Sequence, residues 1–453
     1  MQLFINFKMQ KLAKIIVLLL LNTFIFTSCN SVKKVNSTNK LDGNYPIVTI
    51  FEQQEANKLG PCEPSIFINP KNPNNIVAGS VIDFVHYSMD SGKTWKTKFL
   101  NSDLGVYGDP CVIADKDGNF YYFHLSNPDN KAYNSKRFLD RMVVQKSING
   151  GENWSNGTGI GKNKYPKQQD KEWAAINPIN NEIYLTWTEF DKYGSNNKKH
   201  RSRILFSKST NGAETWSKPK ILSELEGDAI DGNKTVEGAV PAVATNGNIY
   251  VSWSFNNKIY FDKSTNGGNS WLKNDIEVCN QPNGWSFDVP GFSRVNGMPI
   301  TCVDTSKSSK YKNTIYINFS DQRNGANNTD IFIVKSTDEG KTWSIPLKVN
   351  TDKTKTHQFL TWMSIDPITG YIYIVFYDRS KYNNNKTDVV LAISKDGGET
   401  FLNKTISQRP FTPNPNVFFG DYNNINAYNG IIRPIWTAYY DNKLSVLTSL
   451  IKD

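Results

Sequence analysis

The sequence predicts an all-β fold: a β-propeller of seven blades, with six as the alternative, in which an N-terminal strand closes the last blade. Three observations support this prediction: an octet repeated six times, short apolar segments between the octets, and one extra strand-like segment near the N-terminus. Self-similarity at steps of 55 to 72 residues indicates a repeat architecture. Blades of about four strands around a common axis fit such a period.

The octet begins with serine and ends with an aromatic residue. Its copies read SMDSGKTW, SINGGENW, STNGAETW, STNGGNSW, STDEGKTW and SKDGGETF, and they start at Ser88, Ser147, Ser209, Ser264, Ser336 and Ser394. The third position is Asp or Asn, whose short side chain can accept hydrogen bonds from turn amides. Glycine at the fifth position allows φ > 0, and Ala213 is the exception. The final aromatic ring can wedge against a neighbouring blade.

Each unit repeats an order of three apolar strands, the octet and a fourth strand. The first strands are predicted at PSIFINP (64–70), DPCVIAD (109–115), KEWAAIN (171–177), GAVPAVA (238–244), MPITCVD (298–304), FLTWMSID (359–366) and FGDYNNINAY (419–428). The seventh unit ends one strand short, and YPIVTIF (45–51) can supply that strand. Closing the ring in this way would remove exposed sheet edges.

The N-terminus predicts export rather than folded structure. Residues 1–28 are predicted to be a signal peptide, because three lysines precede an apolar run that is too short for a membrane span. Cys29 follows small residues and resembles the lipidated first residue of a bacterial lipoprotein. Polar residues 29–44 are predicted to be a flexible tether, and residues 45–453 the propeller. We therefore expect a monomer in the cell envelope, attached to the outer membrane through its lipid anchor only, on the periplasmic side or at the cell surface.

The composition and charge pattern disfavour some classes of binding partner and cofactor. The formal net charge of +10 is spread along the chain, whereas nucleic-acid binding favours a concentrated basic stripe, so no nucleic-acid partner is predicted. The cysteines beyond Cys29 lack metal-ligand spacing, and the four histidines form no HExxH motif. The sequence accordingly predicts no metal and no cofactor.

The octet is similar to the Asp-box (BNR) motif, and the chain resembles the sialidase-like β-propellers over about 400 residues. The resemblance implies an oligosaccharide or glycoconjugate substrate, possible preference for acidic sugars, and an axial pocket on the face opposite the octets. Sialidases use a Tyr nucleophile activated by a Glu, an Asp acid/base and three arginines. Tyr422 and Glu237 match the first two by position. The family's early Arg-Ile-Pro motif is absent, and Glu63 stands where a cation would be expected.

Candidate site residues are those at the starts of the inner strands and in loops on the same face. The catalytic candidates are Tyr422, Glu237, Asp109, Asp421 and Glu172. The substrate-binding candidates are Glu63, Arg294, Arg323, Arg379 and His357. Three guanidinium groups converging on one cleft would suit a carboxylate-bearing sugar, because each can bind a carboxylate through two parallel hydrogen bonds.

Three functions remain open at this point. The first is an exo-α-sialidase-like glycoside hydrolase, in which a general acid (Asp109 or Glu172) works with a nucleophile or base. That second group would be Tyr422 assisted by Glu237, or Asp421. The second is a polysaccharide lyase in which Arg and His neutralise a uronate while Tyr422 or His357 takes the proton. The third is a propeller that binds or assembles glycans without turnover.

Overall fold

The computed structural model describes residues 45–55 and 59–453. Strands dominate this part of the chain, and its only helical element is a 3₁₀ turn at Ala132–Asn134. No helix within it is long and apolar enough to cross a membrane. The predicted signal peptide, tether and lipidation site at Cys29 lie outside the described residues.

Within residues 45–55 and 59–453, twenty-nine strands form seven sheets, one for each blade. Strand β1 (Ile47–Glu52) precedes the first blade. Blade 1 contains β2 (Ser65–Ile68), β3 (Ile76–Ser80), β4 (Phe84–Ser88) and β5 (Lys96–Phe99). Blade 2 contains β6 (Cys111–Ala114), β7 (Phe120–Leu125), β8 (Met142–Ser147) and β9 (Thr158–Ile160). Blade 3 contains β10 (Gln168–Ile176), β11 (Ile183–Phe190), β12 (Ser202–Ser209) and β13 (Lys220–Ile221).

The remaining blades follow the same plan. Blade 4 contains β14 (Glu237–Val243), β15 (Ile249–Phe255), β16 (Lys258–Ser264) and β17 (Ile276–Asn280). Blade 5 contains β18 (Ile300–Val303), β19 (Ile315–Asp321), β20 (Asp330–Ser336) and β21 (Leu347–Lys348). Blade 6 contains β22 (Gln358–Ile365), β23 (Ile372–Asp378), β24 (Asp388–Ser394) and β25 (Leu402–Thr405). Blade 7 contains β26 (Asn424–Tyr428), β27 (Ile431–Tyr440), β28 (Lys443–Ser449) and β29 (Ile451–Lys452).

The two ends of the propeller meet in blade 7. Its sheet has the order β1-β28-β27-β26, so the first strand of the fold is the outermost strand of the last blade. The pairing is antiparallel and runs from Ile47 opposite Ser449 to Glu52 opposite Ser445. The prediction of seven blades closed by an N-terminal strand is confirmed.

The first strand of each blade lies nearest the axis, and side chains of adjacent blades satisfy its free edge. The Ser65 hydroxyl accepts a hydrogen bond from the Val112 amide at 2.9 Å. Asn426 Oδ1 accepts one from the Ile68 amide at 3.0 Å, and Ser364 Oγ accepts one from the Ala427 amide at 3.1 Å. These bonds fix the inner strands relative to one another, since buried backbone groups need partners.

The octets form the turns between the third and fourth strands of blades 1 to 6. In the first copy Ser88 Oγ accepts a hydrogen bond from the Gly92 amide at 2.8 Å and donates to Asp90 Oδ1 at 2.8 Å. Tryptophans of later octets pack edge-on against the preceding blade, as Trp271 does on Phe206 at a ring-centroid distance of 4.9 Å. Because the octets follow the third strands, they lie at the end of each blade opposite the starts of the inner strands.

Candidate active site at the axial mouth

Charged residues surround the axis where the inner strands begin, and this region is called the mouth below. Its members are Glu63, Asp109, Asp170, Lys171, Glu172, Asp231, Glu237, Arg294 and Asp421. Three of them have positive φ angles just before regular inner-strand pairing: Glu63 (50°), Asp109 (47°) and Lys171 (56°). Residues other than glycine rarely adopt this backbone conformation, and such strain concentrates at functional sites. The backbone of three adjacent blades therefore bends where it presents charge to the axis.

Lys171 lies at the centre of the mouth, with its side chain only 4% exposed. Its Nζ is 3.0 Å from Asp109 Oδ2 and 2.6 Å from Asp421 Oδ2. Burial alone would lower the pKa of Lys171, but Asp109, Asp421, Asp170 and Glu63 together raise it well above its ordinary value. Lys171 is therefore a fixed cation that holds carboxylates from blades 2 and 7 together.

Arg294 bridges two further carboxylates. Its Nε donates to Asp421 Oδ1 at 2.7 Å and its Nη2 to the other oxygen of the same carboxylate, a bidentate arrangement. Its Nη1 donates to Asp231 Oδ2 at 3.1 Å. Burial would raise the pKa of Asp421, but Arg294 and Lys171 hold it well below its ordinary value. Asp421 is therefore a carboxylate across the physiological pH range.

Other carboxyl groups of the mouth favour the protonated form. Burial raises the pKa of Asp170 to about 7; Asp109 and Asp231 add to this effect, and Lys171 opposes it. Burial likewise raises the pKa of Glu237 well above its usual range, and Asp231 beside it adds to the shift. Glu172 behaves in the same way, with Asp109 as the second cause. One mouth thus holds acidic groups in both protonation states.

Asp231 is held as a carboxylate by three donors. Although burial opposes ionisation, Arg294 and the surrounding hydrogen bonds lower its pKa. The Tyr193 hydroxyl donates to Asp231 Oδ2 at 2.6 Å, and Trp285 Nε1 donates to Oδ1 at 3.1 Å. This half-buried cluster connects blades 3, 4 and 5 at the mouth.

Three aromatic rings close the axis beneath the charges and form the floor of the mouth. Trp173 and Trp362 have ring centroids 4.2 Å apart, and Tyr422 lies 4.9 Å from Trp173. Tyr422 is 2% exposed, and its hydroxyl donates to the Pro110 carbonyl oxygen at 3.5 Å. Burial raises its pKa well above the usual range, as do Asp109 and Glu63. Within the described chain no hydrogen bond joins this phenol to a carboxylate that could act as its base.

A cavity of about 480 Å³ lies on the other side of this floor. Aliphatic side chains of the inner strands line it, including Ile66, Val112, Val240 and Ile365. It follows the axis towards the octet face. The Trp173 and Trp362 rings line this cavity and also contact Tyr422, so aromatic rings separate the charged cluster of the mouth from an apolar cavity on the axis.

Arg323 and Arg379 have partners of their own, away from Arg294. Arg323 pairs with Asp321 (Nη2 to Oδ2, 2.6 Å) and lies over the Phe332 ring at 4.2 Å. The Arg379 guanidinium packs near two phenylalanine rings, and its Nε donates to Thr387 Oγ1 at 3.1 Å. Within the described residues no hydrogen bond or ion pair connects either group to Arg294 or to its partners, so the three guanidinium groups form no common cluster there.

His357 and Glu63 take different positions. His357 Nδ1 is 3.0 Å from Thr329 Oγ1, and burial together with the nearby Arg379 charge lowers its pKa to about 4. It lies with Arg379 rather than with the charges of the mouth. Glu63 belongs to the mouth, where its Oε1 accepts the Asp421 amide at 2.8 Å. The structure therefore brings together Glu63, Asp109, Glu172, Glu237, Arg294, Asp421 and Tyr422 from the sequence-derived set.

Sequence reasoning missed Lys171, Asp231 and Tyr193 as site residues. A signal for Lys171 was present. It lies two positions before regular pairing resumes within β10, as Glu63 and Asp109 lie two positions before β2 and β6 begin. Asp231 and Tyr193 lie in long connections without a repeated pattern. Only the folded ring brings them beside Arg294.

Comparison with known proteins supports the fold. No family model and no curated protein matches the chain. Among solved structures, a PL25 ulvan lyase bound to -[GlcA(1-4)Rha3S]- is 13% identical with a TM-score of 0.55, and the match covers 89% of this chain and 95% of that one. A Trypanosoma rangeli sialidase with a covalent difluorosialic acid intermediate is 15% identical with a TM-score of 0.46, covering 80% and 55%. Structural neighbours thus include sialidases and a polysaccharide lyase, and at these identities the similarity shows the propeller fold alone.

Proposed function

We propose that the protein is a glycan-acting enzyme, a glycoside hydrolase that works at the mouth. The observation that supports this most is the coexistence of a protonated and an ion-paired carboxyl group in one axial site. Asp170 has a pKa of about 7, whereas Asp109 pairs with the fixed cation Lys171. Glycosidases commonly need two such carboxyl groups, one to protonate the leaving oxygen and one to act as base or nucleophile.

The roles follow from exposure and partners. Asp170 is partly exposed and holds its proton near neutral pH, which suits a general acid. Asp109 is also partly exposed and is the better-placed base or nucleophile. Asp421 is almost fully buried and bound by both Lys171 and Arg294, so it positions these cations. Tyr422 is assigned to the floor of the mouth and not to catalysis, because a phenol without a neighbouring base is a poor nucleophile.

The charge balance favours an uncharged sugar over an acidic one. Asp109, Asp231 and Asp421 are ion-paired with only two cations, Lys171 and Arg294. Both cations are therefore already neutralised, and no excess of positive charge is left for a sugar carboxylate. A buried charge without a partner is costly, which disfavours an anionic ring at this position.

The test is hydrolysis of a panel of neutral oligosaccharides, sialosides and uronates by the purified protein. Asp170→Asn and Asp109→Asn are each expected to lower kcat/KM by about 10²- to 10⁴-fold. Tyr422→Phe is expected to retain most activity, and Glu214→Gln, on the octet face, is the matched control. Full activity of Asp170→Asn would refute the assignment, and cleavage that depends on the Tyr422 hydroxyl would restore the sialidase-like mechanism.

A polysaccharide lyase is the second candidate, and Tyr193 favours it. Its half-buried phenol donates to Asp231 beside Arg294, which places a proton-transfer group next to a guanidinium. A lyase would release an unsaturated sugar with ultraviolet absorbance from uronate polymers, and Tyr193→Phe would abolish that signal. Hydrolysis without this absorbance excludes the lyase.

The proposal includes the exported, lipid-anchored state expected from the N-terminus. Its support is the sequence pattern around Cys29. Labelling of cells with a fatty-acid analogue should mark the protein of native sequence and leave the Cys29→Ala variant unmarked. Recovery of the native-sequence protein without label in the soluble fraction would contradict lipid anchoring.

A further inference from the structure

An exposed tyrosine lies in a loop on the same face of the propeller as the mouth. Tyr133 is 65% exposed and lies in the 3₁₀ turn Ala132–Asn134, between β7 and β8 of blade 2. Connections between second and third strands lie at the same end as the starts of the inner strands. Tyr133 is therefore on the face that carries the mouth, and none of the roles assigned above uses it.

The charges of the mouth act on the hydroxyl end of Tyr133. The pKa of Tyr133 is raised to about 12, first because this end is partly withdrawn from water and then because Asp170 and Tyr107 lie near it. Arg294 opposes the shift, and Asp109 adds to it. Ring contacts connect Tyr133, through one intervening phenylalanine, to Tyr107, which lies two residues before Asp109 of the mouth. The Tyr133 residue itself remains largely exposed to solvent.

Buried aromatic rings support Tyr133 from behind. Its ring centroid is 4.7 Å from that of Phe138, which is 2% exposed. Phe138 in turn packs edge-on against Tyr107 at 4.6 Å. The three rings form a continuous group, called the rim aromatics, that runs from the hydrophobic core to the edge of the mouth.

Polar bonds within the loop hold the rim aromatics in place. Asn127 Oδ1 accepts the Ala132 amide at 3.0 Å, and Arg137 Nη1 pairs with Asp129 Oδ1 at 2.7 Å. Ser135 Oγ donates to the other Asp129 oxygen at 2.5 Å. The loop therefore presents Tyr133 in a defined position, and a preorganised aromatic side chain loses little conformational entropy on binding.

We propose that Tyr133, backed by Tyr107 and Phe138, is a stacking subsite for a second sugar ring of a neutral oligosaccharide. The reacting ring of that oligosaccharide would lie over Asp170 and Asp109. This inference rests on the proposed function and specifies its substrate as a chain of at least two sugars. One exposed ring offers far less area than a protein interface needs, whereas the apolar face of a pyranose matches it in size. Aromatic residues beside a few convergent polar groups are typical of small-ligand sites.

The experiment measures binding separately from catalysis. Calorimetry on the Asp170→Asn protein compares a monosaccharide with the tetrasaccharide in the gluco, manno and N-acetylgluco series. Adding Tyr133→Ala should weaken tetrasaccharide binding by about five- to tenfold, the scale of one aromatic contact, and leave the monosaccharide unaffected. Tyr133→Phe should retain the affinity, because the ring is kept. Phe99→Ala, which removes an equally exposed ring from the outer strand β5, is the matched control.

The outcomes separate this inference from the proposed function. Unchanged tetrasaccharide affinity in Tyr133→Ala, or an equal loss for both ligands, overturns the subsite even if the enzyme hydrolyses glycans. The expected tetrasaccharide-specific loss without any cleavage by the unmodified protein supports the subsite and overturns the hydrolase. If cleavage occurs, Tyr133→Ala should raise KM for the tetrasaccharide with little change in kcat. Absence of both binding and cleavage in all three series overturns both proposals.

Discussion

Carboxyl groups within one small region of this protein differ in protonation because their partners differ. Asp421 contacts the charged ends of Arg294 and Lys171, and its pKa is held low. Among the described residues Asp170 accepts a hydrogen bond only from the backbone amide of Lys171, at 2.9 Å, so burial dominates and its pKa rises. A difference in direct contacts between neighbouring acids is how a site obtains an acid and a base at one pH.

The raised pKa of Asp170 predicts a pH profile for the proposed activity. A general acid must carry its proton, and Asp170 loses its proton as the pH rises through about 7. We expect kcat/KM to fall above that pH by about tenfold per pH unit. The measurement is initial rates between pH 5 and pH 9. A profile without this alkaline limb would contradict the role of Asp170.

Asp262 predicts a pH dependence of stability away from the site. It is fully buried, its Oδ1 accepts the Lys263 and Leu272 amides at 2.6 and 3.0 Å, and burial raises its pKa to about 7. A raised pKa means that its favourable contribution is present below about pH 4 and lost as the pH rises through 7. Asp262→Asn should therefore raise the free energy of unfolding by about 1–2 kcal/mol at pH 8 and change it little at pH 4. Urea unfolding at both pH values measures this, and an equal effect at both would contradict it.

The sequence could identify many residues of the mouth but not their partners. Glu63, Asp109 and Asp421 were found because they occupy the starts of inner strands, which the repeat locates. The bond between Arg294 and Asp421 joins residues 127 positions apart, and it depends on how blades 5 and 7 face each other across the axis. The role expected of Tyr422 required a side chain accessible from the mouth. Its position near the start of a strand does not reveal that the side chain is buried in the floor.

At the scale of the element, the octet turn shows why its fifth position is glycine. Gly340 has a φ of 83°, and a Cβ there would lie 2.3 Å from the Phe261 ring of the preceding blade. Gly92 has nearly the same φ, but its Cβ would meet the Arg433 Nε at 3.2 Å. Backbone conformation and inter-blade packing therefore both demand glycine at Gly340, whereas conformation alone does at Gly92. This requirement is local, which explains why the sequence revealed the octets so clearly.

Substitutions at this position should rank accordingly. Gly92→Ala is expected to cost about 1–2 kcal/mol of unfolding free energy, the strain of a left-handed alanine. Gly340→Ala should cost about 3 kcal/mol or more, because a clash with a packed ring adds to that strain. Ala213 already has a φ of 69°, so Ala213→Gly should be stabilising by about 0.5–1 kcal/mol after its lost packing is counted. Thermal and urea unfolding measure all three, and equal costs at Gly92 and Gly340 would contradict this account.

The bends at the mouth were not predictable in the same way. Leu360 in β22, like Lys171 in β10, has a positive φ at a bulge within its inner strand, although neither residue type favours that conformation. The bend therefore recurs at a similar place in several blades with different residue types. Local residue preferences for backbone conformation therefore predicted the octet turns but not the bends at the mouth.

For the whole molecule, closure of the ring depends on one short strand. β1 contributes the buried side chains of Ile47, Val48 and Ile50 to blade 7 and covers the edge of β28. The sequence predicted this arrangement because its last unit lacked a fourth strand. Closure of this kind removes an edge that would otherwise be free to pair with other chains.

Removing β1 should therefore destabilise the entire ring. A chain beginning at Gln53 is expected to lose about 4 kcal/mol or more, from burial of three aliphatic side chains at about 1.5–3 kcal/mol each, and to aggregate. A chain beginning at Tyr45 should unfold at the same temperature as the mature protein. Thermal unfolding and light scattering of the two chains give the comparison, and equal melting temperatures would contradict a closing role for β1.

This pairing also constrains how the protein is made. Ile47 pairs with Ser449, so β1 leaves the ribosome roughly 400 residues before β28, about 20–80 s earlier at ordinary translation rates of about 5–20 residues per second. For that interval the nascent chain carries an unpaired β-strand at one end and an incomplete sheet at the other. Because an unpaired strand can pair with other chains, the nascent protein is open to misassembly until β28 has been made.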